Sequence, residues 1–180
     1  SGFYVSTEET SADELADRHG IGRQQTFSLM STDAPQSPPP PSSLQSGYVT
    51  LRGVGGYFVT ADVGKEHALA AVRHAIAECE VFYLEVLDSG YCALLATNGK
   101  WVSSEQNLGD RLIANRDEIS TWERFALFPL GGDTFALRTS NGKFVAPASD
   151  AYGPLFGLRE EIGEWEAFTI ETFEPVAVAP

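Results

Sequence analysis

The chain has 180 residues, 43% of them apolar, and a formal net charge of −13 from 12 basic and 25 acidic side chains. That length suits one domain of common size with an adequate core, and no apolar run approaches the roughly 18 residues that a membrane-spanning helix needs. The charge argues against nucleic acid and against insertion into or binding to anionic membranes, because like charges repel and no basic stripe interleaved with aromatics offsets them.

Residues 1–31 read as a small β-α-β-like or helical segment. Phe3 to Ser6 forms a short predicted strand, and Ser11-Ala12-Asp13-Glu14 has the Ser-x-x-Glu form of a capping box. Ala12, Leu15, Ala16 and His19 then fall at helical spacing, Gly20 is placed to end the helix, and a second strand is expected around Gln25 to Met30. Tyr4-Val5 and the string from Ser11 to Ile21 resemble part of the propeptide (inhibitor I9-like) domain of subtilisin-type proteases, which implies a protease-inhibitor role as one reading. Residues 32–46 are a linker, a polyproline II spacer built on Pro38 to Pro41. That Ser-Pro run also resembles the hydroxyproline-rich motifs of plant and algal wall proteins and implies an extracellular chain, whereas two unpaired cysteines suit a reducing compartment. No secretory signal is read at Ser1, and an upstream segment stays open.

From about Gly47 to Phe173 the chain repeats three times with a period of 43 residues. Leu51, Leu94 and Leu137 share one column, as do Val59, Val102 and Val145; Leu69, Leu112 and Leu155; Ile76, Ile119 and Ile162; and Phe82, Phe125 and Phe168. Each repeat is read as four strands. The first strands are predicted at Tyr48 to Arg52, Cys92 to Ala96 and Phe135 to Thr139, followed by turns at Gly55-Gly56, Asn98-Gly99 and Asn141-Gly142, which suit tight primed hairpins. Second strands follow at Tyr57 to Ala61, Trp101 to Ser104 and Phe144 to Pro147, then a variable loop, a third strand near Leu69 to Val72 and a fourth at Val81 to Val86. Three four-stranded units are too few for a propeller ring and close a β-trefoil, so the fold class is all-β, a trefoil over residues 47–173 with a tail at 174–180.

The columns separate scaffold from site. Arg73, Arg116 and Arg159 recur, as do Glu80, Glu123 and Glu166, and a charge pair present in every repeat is expected to be structural. Trp101 is predicted to be buried. Cys79 and Cys92 are read as small hydrophobes too far apart for a disulfide, because the turn at Asp88-Ser89-Gly90 places Cys92 opposite a residue near Glu85.

The strings Asn98 to Glu105, Leu112 to Asp117 and Trp122-Glu123-Arg124-Phe125, echoed by Asn141 to Val145 and Trp165-Glu166-Ala167-Phe168, resemble the fascin-like β-trefoil repeat. The resemblance implies binding instead of catalysis: filaments such as actin in fascin itself, or a role beside glycoside hydrolase domains for single copies.

Function is expected where the threefold pattern breaks, in the loops between second and third strands. Asp62 and His67 are the polar candidates of the first loop, Glu105, Asn107 and Asp110 of the second, and Asp150 with Tyr152 of the third. An aromatic ring beside carboxylate or amide acceptors suits a sugar, whose C–H face stacks while its hydroxyls need directed hydrogen bonds. The expected partner is therefore a glycan or polysaccharide, with actin or another filament as the alternative. No cofactor, metal site or catalytic residue is expected: His19, His67 and His74 are scattered, no nucleophile motif is present, and Glu160-Glu161 is an ordinary surface acid pair.

Overall fold

The computed structural model describes residues 44–63, 66–149 and 151–174. The predicted N-terminal β-α-β segment, the linker up to residue 43, Asp150 and the tail from residue 175 lie outside the described residues.

The first repeat contributes β1 (Gly47–Gly53), β2 (Phe58–Val63), β3 (Ala68–Arg73) and β4 (Val81–Val86). The second contributes β5 (Tyr91–Leu95), β6 (Trp101–Glu105), β7 (Arg111–Arg116) and β8 (Phe125–Gly131). The third supplies β9 (Thr134–Arg138), β10 (Phe144–Ser149), β11 (Tyr152–Arg159) and β12 (Ala167–Thr172). First and fourth strands make a closed antiparallel ring, in which β1 pairs with β12 and β4, β5 with β4 and β8, and β9 with β8 and β12. Second and third strands form three hairpins, which meet one another through β3, β7 and β11. Six ring strands and three hairpins in threefold arrangement are a β-trefoil.

The repeat columns fill its centre. Leu51, Leu94 and Leu137, the Phe82, Phe125 and Phe168 set, and Leu69, Leu112 and Leu155 are all buried. Burying such a side chain is worth about 2 kcal/mol, so these nine dominate the stability and must match in size from repeat to repeat.

Two expectations are corrected, and one apolar column lies outside the core. Trp101 is only partly buried, because it opens β6 at the rim of a hairpin and not in the ring. Ile76 and Ile162 stand 41% and 38% exposed, since their column lies in the loops that precede the fourth strands. The Asn-Gly turns are not two-residue primed hairpins. Gly99 and Gly142 take φ of 77° and 85° while Asn98 and Asn141 stay at negative φ, and the N–H of each glycine closes a turn onto Ala96 O and Thr139 O. The asparagine accepts a hydrogen bond from Lys100 N or Lys143 N, so its side chain braces the turn while glycine alone supplies the left-handed residue. Cys92, buried opposite Val86, and Cys79 are free thiols, and burial pushes the Cys92 thiol up to about 12, leaving it inert.

Candidate functional site

In every repeat the Arg–Glu pair joins the end of the third strand to the start of the fourth. Arg73, Arg116 and Arg159 reach Glu80, Glu123 and Glu166 at 3.7, 3.7 and 3.5 Å. Each glutamate is buried and turns its other oxygen to a backbone N–H three residues upstream, of Ala77, Ser120 or Gly163, at 2.7 to 2.8 Å. A carboxylate that closes a loop and holds a guanidinium identically three times is scaffold.

The loops that vary sit at three junctions, each against the first turn of the following repeat. At the first, Glu66 and His67 face Asn98 and Lys100 across a cleft of about 520 Å³ that Leu108 and Asn115 help to line. His67 is exposed and held at φ 53°, and its carbonyl accepts a hydrogen bond from Ala114 N at 3.0 Å. Most polar groups of this cleft are already used: Asn98 Nδ2 donates to Ala114 O at 2.9 Å, and Lys100 pairs with Asp117.

At the second junction Gln106 Nε2 donates to Ser140 Oγ at 3.3 Å, and the carbonyl of Asp110 accepts from Gly157 N at 2.9 Å. Asn107 is exposed, and Asp110 is half-buried at φ 62°. Glu105 departs from expectation. It is buried and not presented to solvent, because Ser103 Oγ donates to Oε1 at 2.6 Å, Asn115 Nδ2 at 2.9 Å, and Arg116 grips both oxygens at 2.7 and 2.9 Å. Burial pushes its carboxyl up, but the hydrogen bonds from Ser103, Asn115 and Arg116 and the Arg116 charge outweigh it and hold the group below the ordinary carboxylate value. Glu105 is therefore an internal brace and leaves the set of ligand-facing residues.

The third junction is chemically different. Tyr152, 55% exposed at the start of β11, lies 6.0 Å from the ring of Tyr57, which in turn lies 4.5 Å from His74. Tyr57 occupies the column of Lys100 and Lys143, and His74 that of Asp117 and Glu160. In the second and third repeats these columns form ion pairs, Lys100 with Asp117 and Lys143 with Glu160. In the first repeat two rings replace the two charges, and the third repeat adds a further ring beside them. The backbone permits the approach because position 55 is glycine. A Cβ there would stand 2.6 Å from Ala151 Cβ and 3.1 Å from Tyr57 Cδ2, a clash that neither neighbour can relieve without moving.

The structure thus spreads the expected residues instead of gathering them. Asp62 is exposed at the end of β2 and His67 at the first junction, Asn107 and Asp110 lie at the second, and Tyr152 lies at the third, with Asp150 outside the described residues. Tyr57, His74 and Gly55 were not among the expected residues. Each breaks a column that the other two repeats keep. Among the described residues no group of three or more histidine, cysteine or acidic side chains is placed to hold a metal.

Comparisons place the fold. A designed threefold-symmetric protein, ThreeFoil, superposes with a TM-score of 0.63 at 16% identity over 71% of this chain and 99% of its own. The Polyporus squamosus lectin bound to Neu5Aca2-6Galb1-4GlcNAc superposes at 0.60 with 12% identity, over 72% of this chain and 50% of the lectin. SeviL bound to asialo-GM1 saccharide gives 0.57 at 10% identity, over 71% and 98%. No curated protein matches the chain. Residues 85–175, just over half of the sequence, match a family described as Domain of unknown function (DUF7910). The chain is a β-trefoil and belongs to that family.

Proposed function

We propose that the chain is a non-catalytic glycan-binding module whose principal site is the junction of the third and first repeats. The observation that carries this reading is the ring set of Tyr57, His74 and Tyr152, whose first two members stand where the other two repeats have salt bridges. A pyranose presents a C–H face to such rings and directs its hydroxyls to polar groups at their edge, for which Tyr57 and Tyr152 hydroxyls and the His74 imidazole are the proposed partners, with Asp150, two residues before Tyr152 in sequence, proposed as a further one. Asp62, His67, Asn107 and Asp110 are proposed as lesser contacts at the other two junctions. That two solved structures of similar fold are bound to saccharides supports the reading.

The fascin-like resemblance remains a proposal about which trefoils are nearest in descent. Filament binding and protease inhibition gain no support from the three junctions, whereas a sugar has a surface of suitable chemistry.

A glycan array of the purified chain, repeated with Tyr152→Ala and Tyr57→Ala, tests the assignment. Saturable binding that weakens roughly ten-fold or more in both variants is the expected result, as loss of a stacking ring from a shallow site costs on the order of 1.4 kcal/mol or more. Binding that survives both substitutions moves the site elsewhere, and no binding to any glycan rejects the reading.

A further inference from the structure

A second exposed aromatic surface lies around Tyr48 of the first repeat. Tyr48 on β1 is 49% exposed, meets Tyr83 of β4 edge to face at 5.4 Å, and lines a groove of about 660 Å³ with Ile76, Glu78, Val81 and Phe173. Its floor is pinned, since Phe173 N donates to Tyr48 O at 2.7 Å.

The second repeat shows what this position accepts. Tyr91 occupies the column of Tyr48, and Arg124 that of Val81. The Arg124 guanidinium lies over the Tyr91 ring at 5.4 Å, a cation–π contact made within the repeat. In the third repeat the same two columns hold Thr134 and Ala167, so neither ring nor cation is present. Only the first repeat keeps the ring and lacks the cation. Where the second repeat carries Thr121, the first carries Glu78, an exposed carboxylate on the same groove. Ring, apolar wall and carboxylate together are complementary to a side chain with an apolar stem and a cationic head. The net charge of −13 draws such a group in from a distance.

We propose that this groove is a docking surface for an arginine-bearing segment of a partner protein. The guanidinium lies over Tyr48 as Arg124 lies over Tyr91, its charge faces Glu78, and flanking apolar residues of the partner rest on Ile76 and Phe173. The groove shares no residue with the proposed glycan site, and the proposal does not depend on it.

The test uses the full chain, a short capped peptide with one arginine flanked by leucines, and a twin peptide with citrulline in place of arginine. Amide shifts of Tyr48, Ile76 and Val81 on titration with the arginine peptide, and binding of the citrulline twin weaker by roughly five-fold, are the expected results. Tyr48→Ala should abolish the shifts. Val81→Arg, which supplies from within the cation that the second repeat already has, should abolish them too while leaving the unfolding temperature unchanged. Equal binding of the two peptides, undiminished binding by Val81→Arg, or no shift at millimolar peptide overturns the proposal. Concentration-dependent self-association that Val81→Arg removes also overturns it, by giving the groove to a second copy of the chain.

Discussion

Position 55 carries glycine where the other repeats carry Asn98 and Asn141, and that difference governs how near Tyr152 comes to Tyr57. Gly55→Asn restores the bracing side chain of the other turns but drives its Cβ into Ala151. Overpacking of this kind costs about 1–3 kcal/mol where the neighbours cannot yield, and here the strand start that holds Tyr152 is what must give way. The expected outcome is a roughly ten-fold or greater loss of glycan affinity by calorimetry, with a downfield or upfield shift of the Tyr152 ring resonances as the rings separate. Glu105 makes a pH prediction with a definite sign. Its carboxyl is held below the ordinary value in the folded chain, so the network contributes stability above the unfolded-state value of 4.5 and loses it as pH falls through the lower folded value. Urea unfolding between pH 6 and pH 3 should show an acid limb that is shallower in Glu105→Gln. An unchanged limb would show that the Ser103, Asn115 and Arg116 bonds do not favour the ionised form.

Among the elements, the loop between third and fourth strands is built three times on one plan, and the plan predicts three similar mutational costs. Removing Glu123 leaves Ser120 N without its acceptor and takes one ion-pair partner from Arg116, and Glu80 and Glu166 stand in the same relation to Ala77 N with Arg73 and to Gly163 N with Arg159. Each substitution to alanine should cost about 1–3 kcal/mol in denaturant unfolding, the range for leaving a hydrogen-bonding group without its partner. Arg116 keeps Glu105 as a second partner, so the second repeat should lose least. This regularity is what made the fold legible in the sequence. Columns such as Leu51, Leu94 and Leu137 recur because each repeat must fill an equal share of one core, and strand limits fell within three residues of those expected. The ring set was less legible, because Tyr57 and His74 are apart in sequence and become informative only when their columns are known to form ion pairs. Glu105 was misread for a related reason. It sits at the margin of a variable loop, where sequence does not tell a solvated carboxylate from one turned inward onto Arg116. Trp101 and Ile76 show that a recurring apolar column need not be a core column, since a threefold fold repeats its rim as faithfully as its centre.

For the molecule as a whole, the division into an N-terminal segment, a Pro-rich spacer and a trefoil remains a proposal drawn from composition. At this scale the charge also sets an expectation for ligands. An anionic sugar approaches a protein of net charge −13, so a neutral glycan should bind more tightly than its sialylated counterpart, and the gap should narrow as salt is raised from about 50 to 500 mM. The closed ring has a consequence of another kind. β1 finds one of its two ring partners in β4, thirty-odd residues on, but the other is β12, with Val49 opposite Thr172. During synthesis the first strand therefore waits for the last, and the Leu51 layer of the core cannot seal until Ile170 has left the ribosome. Until then β1 offers a free sheet edge to any strand that passes, which makes the nascent chain, and not the finished trefoil, the form most in need of a chaperone.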